Sequence, residues 1–279
     1  MPLFSRADGD LIKTESPVRV IVPYIMKGRN ESVAYSEAFF DMTRTLPWLE
    51  SYNKGRPPGE HATVFNLFQW TMARLLHDRP GINRFVSGGR LYQRKEVTIS
   101  FVAKKEMKDG VPFVSLKLPF PKGESFRECV RRLRSAVEGG RHGPESSVDK
   151  EVRILTKLPG FMLRAGVALL KWLDFHNLMP YSMIKTDPMF CSVFVANLGS
   201  LGVGAAYHHL YEWGNTSLFA VMGKVEKHVF IDGEGKPVVK DGLEVRWSFD
   251  ERINDGLYGA NSLRMARDVL EDPGKYIKD

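Results

Sequence analysis

The densest chemistry in this 279-residue chain lies near its C-terminal end, in WSFDERINDGLYGANSL, Trp247 to Leu263. Trp247 and Phe249 alternate with Ser248 and Asp250, the period-two pattern of a strand with one buried face. A charged turn follows, and Asp255-Gly256 starts a helix. The corner offers Glu251 as a proton acceptor and Asp255 as an acid or, more simply, as a helix N-cap. Glu251 is a weak base for thiol chemistry. A carboxylate of pKa about 4.3 taking a proton from a thiol of about 8.5 works roughly 6 kcal/mol uphill, and an imidazole near 6.5 about half that. Burial would raise a carboxylate and lessen the penalty.

Other constellations are thinner. Of seven histidines only His208 and His209 are neighbours, and adjacent residues on a strand face opposite ways. No second group of Cys, His or carboxylate has ligand spacing, so no metal is expected. The glycine-rich NLGSLGVG, Asn197 to Gly204, follows a buried strand. No helix pattern follows it, as a dinucleotide fingerprint would require, and there is no P-loop or G-x-S-x-G elbow.

These pieces need a sheet to hold them. Strands are expected at PVRVIVPYI (17–25), Arg84 to Val86, Leu91 to Gln93, VTISFVAKK, PFVSLKLPF, FCSVFVA, SLFAVMGKVEKHVFI (217–231) and LEVRWSFD (243–250). The turn DGEGKP joins the last two. Helices are expected over 31–46, ending at Pro47, and over 61–78, and in the arginine-bearing FRECVRRLRSAVEGGR. Further helices are expected at about 150–158, 160–177 and 256–272. Strands and helices interleave through one sheet-rich domain.

With 43% hydrophobic residues the chain can bury a sizeable core. A net charge of +7 and a pI near 9.3 invite an anionic partner. The basic residues are spread thinly, however. Arg127, Arg131, Arg132 and Arg134 read as the solvated face of a helix, and no nucleic-acid motif accompanies them. Cys129 and Cys191 sit in apolar patterns and read as buried free thiols. The opening MPLFSRADGD carries no basic-then-apolar leader, so a cytoplasmic protein is expected. In LPGFMLRAGVALLKWLDFHNLMP, Arg164 and Lys171 fall about 20° apart around a helix, with Asp174 about 60° further on. That single polar stripe marks an amphipathic helix, not a span. Packing against the domain or a sister subunit is favoured over docking on a membrane surface.

The two C-terminal pieces together resemble the catalytic domain of dihydrolipoyl acyltransferases, the acyltransferase component of 2-oxoacid dehydrogenase complexes, which shares its fold with chloramphenicol acetyltransferase. The family reads S-F-D-H-R-x-x-D-G-x-x-G-A; Ser248 to Ala260 reads SFDERINDGLYGA, matching every fixed position except the histidine. The family's F-x-I-S-N-x-G-x-x-G is similar to VFVANLGSLG, Val193 to Gly202, and a third likeness lies in GINRFVSGGRLYQRKEVTISFVAKK. The resemblance covers about 17–135 and 186–273. It implies an α/β fold, a two-layer mixed-sheet sandwich of the chloramphenicol-acetyltransferase-like type. A segment of 1–16 would precede one domain over 17–279, with a helical insertion at about 140–185.

What the resemblance implies for chemistry is mixed. The family histidine, general base on a thiol, is replaced here by Glu251, and the Ser or Thr that stabilises the oxyanion by Ala196. The motif aspartate, structural and salt-bridged in the family, is kept as Asp255, while Asn197 and Gly199 occupy substrate-side positions. Losing one oxyanion donor costs about 10²–10³ in rate. Impaired or altered acyl transfer is therefore expected, with coenzyme A or an acyl-CoA as substrate or ligand and no covalent cofactor. A homotrimer is expected, since GKYIKD lacks the apolar terminal knob that joins family trimers into cages. The second expectation is a non-enzymatic trimeric scaffold or binding protein, meeting a membrane or a protein partner through the amphipathic helix. No nucleic-acid partner is expected.

Overall fold

A computed structural model describes residues 5–13, 16–104, 108, 111, 113–142 and 156–278. Among them are nine strands: β1 (Gly9–Leu11), β2 (Val33–Asp41), β3 (Arg84–Ser87), β4 (Arg90–Arg94), β5 (Thr98–Lys104), β6 (Phe113–Pro119), β7 (Val193–Asn197), β8 (Leu218–Ile231) and β9 (Pro237–Asp250). The α-helices are α1 (Pro17–Ile25), α2 (Thr45–Asn53), α3 (Val64–Asp78), α4 (Phe126–His142), α5 (Gly160–Phe175), α6 (Tyr181–Thr186) and α7 (Gly256–Glu271).

Six strands form the main sheet in the order β2-β9-β8-β7-β5-β6, and β1-β4-β3 form a small one. β7 runs parallel to both β5 and β8, and the other pairs are antiparallel. Alternation then sends side chains to two faces. Val193 and Val195, Leu218 and Ala220, and Val245 and Trp247 enter the large core with α3, α4 and α7. Phe194, Phe219 and Val221 point the other way, into a smaller cluster with Cys191 and Leu210. This is the mixed α/β sandwich expected from the sequence. Both cysteines are buried and free.

Two expectations fail in the N-terminal part. Residues 17–25 form helix α1, not a strand: Pro17 preorganises the first turn, and the segment pairs with no sheet edge. The helix expected over 31–46 is instead β2, which pairs residue for residue with β9 from Val33↔Asp250 to Asp41↔Gly242. Ala38 and Phe40 enter the core from alternate positions, a period of two that the short polar breaks obscure. Pro47 does not end a helix but sits in the first turn of α2, where its missing N–H has no partner to lose.

Helix α4 behaves as expected. Phe126, Cys129, Val130 and Leu133 are buried, while Arg127 and Arg131 both bridge to Glu60 and Arg132 to Glu124. Helix α5 is unusual. None of its residues is buried, and Phe161, Trp172 and Phe175 stand more than half exposed. It is its polar stripe that meets the domain, through Asp174, which accepts from buried Arg6 at 2.8 Å. The helix expected at about 150–158 lies mostly outside the described residues. Among the described residues, no helix is long and apolar enough to cross a membrane.

Candidate functional site

The end of β9 is held by one buried ion pair. The Arg252 guanidinium forks onto Asp250, Nε to Oδ1 at 2.9 Å and Nη2 to Oδ2 at 2.8 Å, and both side chains are almost wholly inaccessible. Arg252 Nη1 also donates to the carbonyls of Met26 and Lys27, which ties the end of α1 to this corner. Buried Arg29 lies nearby, donating to the carbonyls of Glu212 and Val86; burial lowers its pKa.

Between these two anchored residues Glu251 projects outward. Its N–H donates to Ser32 O at 3.0 Å, but its exposed carboxylate has no hydrogen bond or ion pair among the described residues. Asp255 caps α7, its Oδ1 accepting from Tyr258 N at 2.7 Å. The nearest cation, Arg19, stands 3.7 Å away, and the Asp255 side chain is 62% exposed. The firm salt bridge of the motif is thus Asp250–Arg252, and Asp255 serves the helix. Asp255→Ala is expected to cost about 1 kcal/mol in urea unfolding, the usual worth of a cap.

Ala196 lies elsewhere. It pairs with Val221, which pairs with Arg246, five residues before Glu251. Two strand spacings of about 5 Å and five residues of about 3.3 Å separate the two positions, so one chain does not bring them together. Asn197 and Gly199 shape the turn after β7. The Asn197 side chain accepts from Ser200 N at 3.2 Å, and a Cβ on Gly199 would lie 2.4 Å from Gly223 O.

The face that carries Ala196 holds what the sequence reading set aside. His208 and His209 are not on a strand, and their rings do not face apart; they stack at 4.7 Å and 19°. His208 also lies flat on Phe219, 4.0 Å between centroids, and Phe219 stacks on Phe194, two residues before Ala196. Each Nδ1 contacts a carbonyl, His208 to His209 O at 2.7 Å and His209 to Leu210 O at 2.9 Å. A carbonyl only accepts, so each Nδ1 carries a hydrogen, and a neutral His208 ring then keeps its lone pair on Nε2. Partial burial lowers the pKa of His208, favouring the neutral ring. Ser248 of the signature strand donates to His208 O, fixing this segment on β9. The doublet HH was visible in the sequence; its stacking on Phe219 depends on a loop path that no local pattern encodes.

A cationic cavity of about 220 Å³ lies near β6 and α6. Burial lowers Lys117 there to about 8, but its Nζ already donates to Ile184 O and Asp187 O. Arg94 in the same wall donates to Asn215 and faces Asp8. Among the described residues no three His, Cys, Asp or Glu side chains gather as a metal site.

No family model matches the chain, and no curated protein matches it. Solved structures do. The chain is similar to a probable dihydrolipoamide acetyltransferase from Listeria monocytogenes, with a TM-score of 0.62 at 17% identity over 97% of each chain. It is similar to the cubic core of the pyruvate dehydrogenase multienzyme complex, with a TM-score of 0.61 at 15% identity over 95% of this chain and 93% of that one. It is also similar to chloramphenicol acetyltransferase, with a TM-score of 0.57 at 10% identity over 94% and 99%. At these identities the likeness is one of fold, and it spans essentially the whole domain.

Proposed function

We propose that this chain binds acyl thioesters of coenzyme A and carries out an altered acyl transfer, as a homotrimer. The observation that supports this most is the SFDERINDGLYGA corner: it sits at the strand-to-helix junction of an acyltransferase fold with its Asp250–Arg252 pair and Asp255 cap formed. The chemical positions differ, at Glu251 and Ala196. The separation of these two within one chain fits a site completed by a neighbouring subunit. Multimeric assembly has a precedent in the cubic core of similar fold.

The proton acceptor that this reading favours is His208. An imidazole takes a thiol proton about 3 kcal/mol more easily than an ordinary carboxylate. His208 also stacks on Phe219, on the face of Ala196, with its Nε2 lone pair free, whereas the Glu251 carboxylate has no partner among the described residues. The step is simple: Nε2 takes the S–H proton, the thiolate attacks the thioester carbonyl, and the departing thiolate recovers the proton.

A second reading rests on α5. A helix with no buried residue, exposing Phe161, Trp172 and Phe175 beside Arg164 and Lys171, suits the surface of an anionic membrane. Two measurements separate the readings. A thermal-shift titration with coenzyme A is expected to stabilise the protein; flotation with anionic liposomes, lost on Trp172→Glu, would instead support the scaffold.

A further inference from the structure

Beneath the signature corner, between β2–β9 and helices α3 and α7, lies a cavity of about 310 Å³. It is walled by Met72, Leu75, Leu218 and Phe249. Interiors rarely hold voids larger than a water molecule, and a dry apolar cavity of about 150 Å³ already takes benzene. This one, which is half open to solvent rather than enclosed, has about twice that volume. It is adjacent to the chemistry, because Phe249 and Gly256, on either side of Glu251 to Asp255, both line it. It has a mouth, since Gly256 and Ala260 of α7 line it and are exposed.

Two details say what it holds. Gly256 and Gly259 both line the cavity, yet a Cβ on either would meet nothing within 4 Å, and neither has a positive φ. No backbone conformation or close neighbour demands these glycines, and glycine weakens a helix interior. What they do is keep the space open. The one polar group of note is Trp247, which lines the wall, is 8% exposed, and has a buried Nε1–H with no acceptor. A buried donor without a partner is rare and costly. The missing occupant therefore has an apolar body and an oxygen that accepts one hydrogen bond.

We infer that this cavity is an acyl-chain site, which takes a medium-length acyl group with its oxygen on Trp247 Nε1. Trp247 and Leu218 face the large core, whereas Phe219 and His208 lie on the other face of the sheet. The cavity therefore holds an acyl ligand apart from the thioester carbonyl assigned to His208, and the inference goes beyond the proposed function. Where the acyl group is a coenzyme A thioester, the coenzyme A part stays outside, past the mouth at Gly256.

The test is calorimetric titration of the full chain with acetyl-CoA, decanoyl-CoA and decanoate. Added methylenes entering the cavity are expected to make decanoyl-CoA bind at least about thirtyfold tighter than acetyl-CoA. Gly259→Leu, which fills the space from a helix position that tolerates a side chain, is expected to abolish that preference and keep or raise the melting temperature. Ala260→Phe is the second filling variant should the first not fold. Trp247→Phe is expected to weaken decanoyl-CoA about fivefold. Equal affinity for the two thioesters in the wild type, or an undiminished preference in the filling variants, would overturn the inference. If neither thioester binds, the coenzyme A reading fails. Decanoate binding that is lost in Gly259→Leu would then still support an acyl cavity, and absence of decanoate binding would overturn it.

Discussion

Asp250→Ala is expected to destabilise the fold by about 3–5 kcal/mol, because it strands a buried guanidinium. Arg252 now meets both carboxylate oxygens and two carbonyls, with side-chain exposures of 3% and 0% across the ion pair. Without the carboxylate it keeps only Met26 O and Lys27 O, and buried Arg29 is close enough to repel it. In a chain of this size such a loss lowers the melting temperature by roughly 10 °C or more. The pair itself stabilises far less than its disruption costs, since taking two charges out of water offsets most of their attraction. Asp250→Ala combined with Arg252→Met should therefore recover most of the loss. Urea unfolding of the two variants checks this. A single-variant loss below about 1 kcal/mol would mean that water reaches the guanidinium. The pair also explains how Glu251 is presented: its neighbours on both sides are fixed, so the exposed carboxylate stands on a rigid corner.

His208→Gln is expected to lower acyl transfer by about 10²–10⁴, the usual worth of a positioned general base, while Glu251→Gln leaves the rate within about threefold. Glutamine keeps the size of the ring and an amide at the position of Nε2, but takes no proton at neutral pH. The rate should need neutral His208. Burial holds this imidazole below its ordinary pKa, with His209 and Tyr211 its titratable ring neighbours. The limb should accordingly rise at a pH below the ordinary imidazole value and flatten above it, until the thiol itself ionises. The reverse ranking, with Glu251→Gln disabling and His208→Gln harmless, would return the base to the motif position. Under the proposed function Ala196 supplies no hydroxyl for the oxyanion in either case.

The legibility of this chain divides by range. The corner from Ser248 to Ala260 could be read from sequence because strand, turn, cap and helix follow each other within a short stretch, and each uses local rules. The hairpin of β8 and β9 and the buried faces of α3 and α4 were legible for the same reason. PVRVIVPYI misleads because β-branched residues suit a strand, but a strand needs a partner and this segment pairs with neither sheet. ESVAYSEAFFDMTRTL fails in the opposite sense: its composition suits a helix, yet β9 offers nine residues of antiparallel pairing. Long-range contacts decided both. The site shows the same division. Asp255 as a cap was legible, whereas the fork of Arg252 onto Asp250, the stack of His208 on Phe219 and the cavity under Gly259 all join distant segments. The polar stripe of α5 was legible as a pattern, and the contact it makes was not: Asp174 turns inward because Arg6 is buried there and needs an acceptor.

The most direct test of the central claim is the melting temperature of the wild-type protein titrated with coenzyme A. A ligand that binds only the folded state adds about 2.7 kcal/mol at one hundred times its dissociation constant, which raises the melting temperature of a domain this size by roughly 5–10 °C. A saturable rise of that order, reduced by added salt as suits a phosphate-bearing ligand on a basic protein, is the predicted result. A melting temperature unmoved by coenzyme A and its thioesters at millimolar concentration would contradict the acyl-thioester account.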